Sequence, residues 1–151
     1  MNQQQTQDLN YFFETTFNKI LAWEERALQK TNLQKLTVRE AHIIEACKSL
    51  EIQSKNTMSH VASKLSITQG ALTTAVNTLV RKGYLKRGSN PNDGRIVYIY
   101  LTNKGMDAYL KHEAFHKEMI KQVGFQLDED SLTTLTDSLK KLSVFFEQYD
   151  K

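Results

Sequence analysis

Residues 89–105, SNPNDGRIVYIYLTNKG, break the rhythm of the chain. A clump of turn formers, Ser89 to Gly94, leads into a segment where Arg95, Val97, Ile99 and Leu101 alternate with Ile96, Tyr98 and Tyr100. A period of two rich in β-branched and aromatic side chains is the mark of a strand. Upstream, YLKRGS reads as its partner strand and NPND as the turn between them. Elsewhere the apolar residues recur at helical spacing, and 151 residues containing one Pro and six Gly offer few breakers. The expected fold is mainly α with a small β-wing.

The helices can be placed from their caps. Leu9 to Leu28 carries a helical stripe through Phe12/Phe13, Phe17, Ile20/Leu21 and Trp23. TVRE, Thr37 to Glu40, has the form of a capping box and opens a helix bearing Ala41, Ile44, Ala46/Cys47 and Leu50. A short helix from Met58 to Leu65 and a tight turn, Ser66 to Thr68, lead to a longer helix over Gln69–Lys82. Thr68 caps its start, and Gly83 stands where a helix ends in a left-handed residue. This pair reads as a helix-turn-helix.

The longer helix divides by face. Leu72, Ala75/Val76, Leu79 and Val80 form the inward stripe. The outward face, with Gln69, Gly70, Thr73, Thr74, Asn77 and Arg81, is small or amide-bearing where a merely solvated helix carries Glu and Lys. Short polar groups and amides suit base edges in a major groove, and an amide can pair bidentately with adenine. A ribbon directly after such a helix is a wing, whose tip reaches the neighbouring minor groove while basic strand residues meet phosphates. The expected DNA-contacting set is Thr68, Gln69, Gly70, Thr73, Thr74, Asn77, Arg81, Arg87 and Arg95, with Asp93 added by the resemblance described below.

Charge agrees with that placement. Residues 68–104 hold six cations against Asp93 alone, a net +5, while residues 1–67 carry +1 and residues 105–151 carry −3. Positive charge focused on one segment is the footprint of a nucleic-acid contact. The rival assignment is a protein-binding winged helix without DNA affinity. Enzyme function is not expected: no G-x-G-x-x-G, phosphate-loop lysine, G-x-S-x-G or H-E-x-x-H occurs in the chain. His42 and Cys47 share one helix five residues apart and point in different directions. No apolar run is long enough for a membrane span, the first ten residues lack a signal pattern, and Cys47 is the only cysteine. A cytoplasmic protein without membrane contact is expected.

The chain ends are helical too. After Thr102, a helix cap, apolar residues run through Met106, Tyr109/Leu110, Phe115, Met119/Ile120 and Val123. A break at GFQLDED and an Asp128 cap precede Leu132, Leu135, Leu139, Leu142, Phe146 and Tyr149, a seam with alternating steps of three and four. A single domain over 1–151 is expected, with a winged helix-turn-helix lobe at about 37–104. Helices at about 6–30 and 103–149 would form a dimerisation domain.

The stretch DGRIVYIYLTNKG resembles the wing of the MarR family of bacterial winged-helix regulators. Asp93, Arg95, Leu101, Thr102 and Gly105 fit its D-x-R-x(5)-L-T-x-x-G pattern, and ITQGALTTAVNTLVRKGYLKR resembles its recognition helix and first wing strand. The resemblance implies a ligand-responsive repressor, a homodimer on a pseudo-palindromic double-stranded operator. Asp93 would pair with Arg95 to brace the wing. Many members carry Arg between these two; here it is Gly94, which removes one cationic wing contact.

EAHIIEA and HEAFHKEMIK are further similar to the streptococcal-type members that repress fatty-acid synthesis genes. That likeness implies a long acyl chain as effector, delivered by acyl carrier protein, with Phe13, Phe17, Ile20, Ile43, Ile44, Phe115 and Met119 as candidate lining residues. Zinc-sensing members use a set comparable to His42, His112 and His116, with Glu24 and Cys47 as further donors. Zinc is the alternative effector. The lipid-type members carry similarly placed histidines without that role, so no cofactor is required in the preferred reading.

Overall fold

The capping box at Thr37 forms as its spacing requires. Thr37 Oγ1 accepts from the Glu40 N–H at 3.2 Å and Glu40 Oε2 accepts from the Thr37 N–H at 2.9 Å, starting helix α3, Val38–Glu51. The computed structural model describes residues 1–33, 35–90 and 93–149. They divide into two compact units, Met1–His112 and Glu113–Lys151.

In the first unit, α1 (Gln3–Tyr11) and α2 (Phe17–Gln29) are joined by a π-helical turn at Phe12–Thr16. The even stripe expected over Leu9–Leu28 is thus interrupted by one wide turn, which slips the phase of the side chains around the axis. Helix α2 packs on α3, and α3 on α4, Met58–Lys64. Helix α4 packs on α5, Gln69–Arg81. Thr68 caps α5 by accepting from the Ala71 N–H at 3.1 Å, and Gly83 ends it at φ 82°, a left-handed conformation that a Cβ would strain. Leu72, Val76 and Leu79 are buried beneath α5, together with Ile43, Ile44, Cys47 and Val61.

The ribbon pairs β1 (Leu85–Asn90) antiparallel with β2 (Asp93–Leu101), with Leu85 opposite Leu101 and Arg87 opposite Ile99. Strand β2 begins at Asp93, two residues earlier than the alternation at Arg95 indicates, because Asn90 and Asp93 pair across a register shift after Ser89. The turn expected at NPND falls on Pro91 and Asn92, outside the described residues. Asn56, 1% exposed, fastens the ribbon to the helices. Its Nδ2 donates to the Ile99 carbonyl at 2.7 Å and its carbonyl accepts from the Ile99 N–H at 2.8 Å.

The L-T-x-x-G part of the wing pattern closes the lobe. Thr102 Oγ1 donates to the Gly83 carbonyl at 2.6 Å and accepts from the Gly105 N–H at 3.1 Å, so one hydroxyl ends α5 and starts α6, Asn103–Gly124. The Thr102 N–H donates to the Tyr84 carbonyl at 3.1 Å. That same carbonyl lies against Gly105, where an added Cβ would sit 2.1 Å from its oxygen.

The second unit holds the remainder of α6 and then α7, Glu129–Tyr149, capped by Asp128 Oδ1 accepting from the Ser131 N–H at 2.8 Å. Leu135, Leu139, Leu142, Phe146 and Tyr149 of the seam are all exposed.

Candidate nucleic-acid interface

Every residue placed on the outward face of α5 is at the surface: Gln69, Gly70, Thr73, Thr74, Asn77 and Arg81 are exposed, as is the cap Thr68. Thr73 and Thr74 donate their hydroxyls back to the Gln69 and Gly70 carbonyls, at 2.8 and 3.2 Å. Their protons are spent within the helix, and their oxygens and methyls remain for base-edge donors and thymine methyls. At the wing, Asp93 Oδ1 accepts from the Arg95 N–H at 3.0 Å and lies 3.8 Å from Arg95 Nε. The carboxylate braces the turn, while the Arg95 side chain is 97% exposed.

The +5 of residues 68–104 is not all available for a phosphate backbone. Lys82 Nζ is bound to both Glu40 carboxylate oxygens, at 2.7 and 2.8 Å, and to the Lys35 carbonyl at 2.8 Å. Glu40 thus caps α3 and neutralises the cation at the end of α5. Lys104 Nζ donates to the Lys82 carbonyl at 2.7 Å and lies 4.3 Å from the centre of the Tyr84 ring. Lys104 is exposed but folded back onto these two groups; the remaining exposed cations of the segment are Arg81, Lys86, Arg87 and Arg95.

A second cluster lies in the first unit on α2, α3 and α6. Glu24 Oε1 is 2.8 Å from His42 Nε2 and 2.5 Å from His112 Nε2, and the other ring nitrogen of His112 is 3.5 Å from Glu45 Oε2. Glu24 and His112 are buried. Burial pushes the Glu24 carboxyl up, but the hydrogen bond from His112 and the charge of His42 outweigh it and hold the group below its ordinary range. Burial pushes His112 down, and its contacts with Glu45 and Glu24 reverse this and raise it. Both shifts favour the same pairing, an acidic Glu24 facing a more basic His112.

The ligand atoms of Glu24, His42 and His112 lie within 4.8 Å of one another. Two imidazole nitrogens and a carboxylate oxygen are a donor set suited to zinc. His116 stands one turn further along α6, in the second unit. Cys47 is fully buried in the core and does not belong to the donor group. Burial and then the charge of Glu51 push its thiol up to about 12. Glu45 and Asn56 are singled out by no motif of the sequence. Glu45 follows His42 by one helical turn, a spacing that could have marked it, whereas nothing local marks Asn56.

Of the seven residues proposed to line an acyl channel, five lie in the first unit. Phe13 and Phe17 are exposed, Ile20 is half-buried, and Ile43 and Ile44 belong to the core. Phe115 and Met119 lie on the part of α6 counted with the second unit. The first unit holds a cleft of about 520 Å³ lined by Asn18, Leu21, Ala22, Glu25, Thr37, Val38, Arg39 and His42, none of them among those seven.

A capped helix pair followed by a basic antiparallel ribbon, braced at its tip and pinned at its base, defines a winged helix-turn-helix protein. The chain belongs to the MarR family, whose model matches residues 35–96. Over 95% of this chain and 99% of the other, it is similar to FabT of Streptococcus pneumoniae, solved in complex with DNA, at 30% identity and a TM-score of 0.84. It is 31% identical to the regulator YkoM of Bacillus subtilis over 58% of this chain and 56% of that protein. It is 35% identical to the multiple antibiotic resistance protein MarR of Escherichia coli over 52% of this chain and 55% of that one. The chain thus spans about half the length of these two curated relatives.

Proposed function

We propose that the protein is a sequence-specific double-stranded DNA-binding transcriptional regulator, acting as a homodimer on a pseudo-palindromic operator. The observation that carries this reading is the uncharged polar face of α5, exposed beside a wing whose arginine points into solvent. Each α5 would enter a major groove, with half-sites about ten base pairs apart. The likeness to FabT in its DNA complex supports the reading. Arg95→Ala is expected to weaken binding to every duplex by about tenfold, since a phosphate or groove-wall contact carries little sequence information. Anisotropy titrations on several genomic fragments measure this; unchanged affinity would refute the placement of the wing.

The apolar seam exposed on α7 supports self-association of the terminal helices. For control, the reading is a repressor whose effector shifts the population between two dimer geometries and so changes the spacing of the DNA lobes. The resemblance to the fatty-acid branch supports an acyl chain on acyl carrier protein as that effector. A second reading is favoured by the convergence of Glu24, His42 and His112. These side chains would hold zinc, which would supply a fixed cross-link between helices. A ligating imidazole must be neutral, so zinc would compete with the proton that Glu45 and Glu24 favour on His112.

Native mass spectrometry addresses assembly and effector together. A species of twice 17.4 kDa is expected, and a persistent monomer would refute the homodimer. After incubation with zinc, the metal reading expects a bound ion that His112→Ala loses. After incubation with long-chain acyl carrier protein, the acyl reading expects a complex that the free carrier does not form. Absence of either species refutes the corresponding reading.

A further inference from the structure

The amide of Asn77 is not left to choose its own orientation. Arg87 Nη2 donates to Asn77 Oδ1 at 2.6 Å, linking strand β1 to the exposed face of α5. A guanidinium has donors only, so the amide atom turned toward it must be the oxygen, even though amide oxygen and nitrogen look alike in outline. The amide is planar, and Nδ2 is therefore turned away from Arg87. A flip would set an NH2 group against a cation and forfeit a charge-assisted hydrogen bond.

The strand opposite Arg87 is anchored to the core. The partner of Arg87 across the ribbon is Ile99, whose N–H and carbonyl are both engaged by the buried Asn56. The backbone of Arg87 thus lies opposite a residue anchored to the core, and its side chain reaches from there to the face of α5.

We propose that Arg87 is a positioning residue that fixes the polarity of the Asn77 amide and thereby sets the base preference at one position of each half-site. The proposal rests on the DNA-binding reading. An amide discriminates bases only when its donor and acceptor ends are in known places, because each base edge presents a defined pattern of both. An amide free to turn over matches two opposite patterns and distinguishes them poorly. The Asn77 oxygen keeps a second lone pair beside Arg87, so both ends remain usable by a base.

The test is selection from a randomised duplex library at fixed low salt, using the full-length wild type, Asn77→Ala, Arg87→Ala, Arg87→Lys and the double alanine variant. Wild type is expected to enrich a motif, and Asn77→Ala to flatten one position per half-site from about a tenfold preference to near none. Arg87→Ala is expected to remove most of the preference at that same position and leave the others intact. Arg87→Lys, which restores a donor-only cation, recovers it. The double variant is no flatter than Asn77→Ala, as two residues acting through one contact require. A uniform drop in affinity for Arg87→Ala, with the preference at that position retained, would make Arg87 a simple phosphate contact and overturn the proposal. Failure of the wild type to enrich any motif would overturn the DNA-binding reading itself, and this proposal with it.

Discussion

Gly105→Ala is expected to destabilise the protein by about 3 kcal/mol, lowering the thermal midpoint by roughly 6–12 °C. The added methyl would stand 2.1 Å from the Tyr84 carbonyl oxygen, and no side-chain rotation relieves a clash with backbone. Either α6 lifts or the Tyr84 peptide turns. Both break the Thr102 contacts to Gly83 and Tyr84 that hold α5, the ribbon and α6 together. Gly94→Ala is the matching control, because a Cβ there meets nothing within 4 Å. Thermal melts followed by circular dichroism measure both, and a shift below about 2 °C for Gly105→Ala would show that the junction gives way at little cost.

The second large effect concerns salt. Apart from Lys104, which is folded back onto the Lys82 carbonyl and the Tyr84 ring, each lobe exposes four cations, Arg81, Lys86, Arg87 and Arg95, making eight in the proposed dimer. Neutralising about eight phosphates releases their counterions, so raising salt from 50 to 200 mM should weaken duplex binding roughly ten-thousand-fold. Lys82 is excluded from that set because Glu40 already neutralises it. A slope of log affinity against log salt near −7 fits eight contacts. About half that slope would mean a single lobe engages, and a flat line would favour the protein-binding alternative over DNA.

What was legible in the sequence is what short-range chemistry decides. The Thr37 capping box, the Thr68 cap, the left-handed Gly83 and the division of α5 into two faces each depend on residues within a turn or two. The wing pattern was also legible, and the structure supplies its reason. Asp93 braces the tip, Thr102 joins two helix ends, and Gly105 makes room for a carbonyl. Contacts between distant segments were hidden. Asn56 meets Ile99 across 43 positions, and Lys82 meets Glu40 across 42. Nothing local shows that one cation of the basic segment is already spent. The π-helical turn at Phe12–Thr16 escaped notice because the apolar spacing around it still fits an ordinary helix. Among the candidate donors, the spacing of His112 and His116 could be read directly, but the approach of Glu24 to His112 joins residues 88 apart.

The sealed sulfur of Cys47 decides what this one thiol can do. A thiol pushed up to about 12 stays protonated at neutral pH, and peroxide or electrophiles react with the deprotonated form. Cys47 is the only cysteine in the sequence, so no second thiol is present within the chain to resolve an oxidised one. Cys47 is therefore a poor target for oxidants and electrophiles, and its contribution is to the packing between the helices of the first unit.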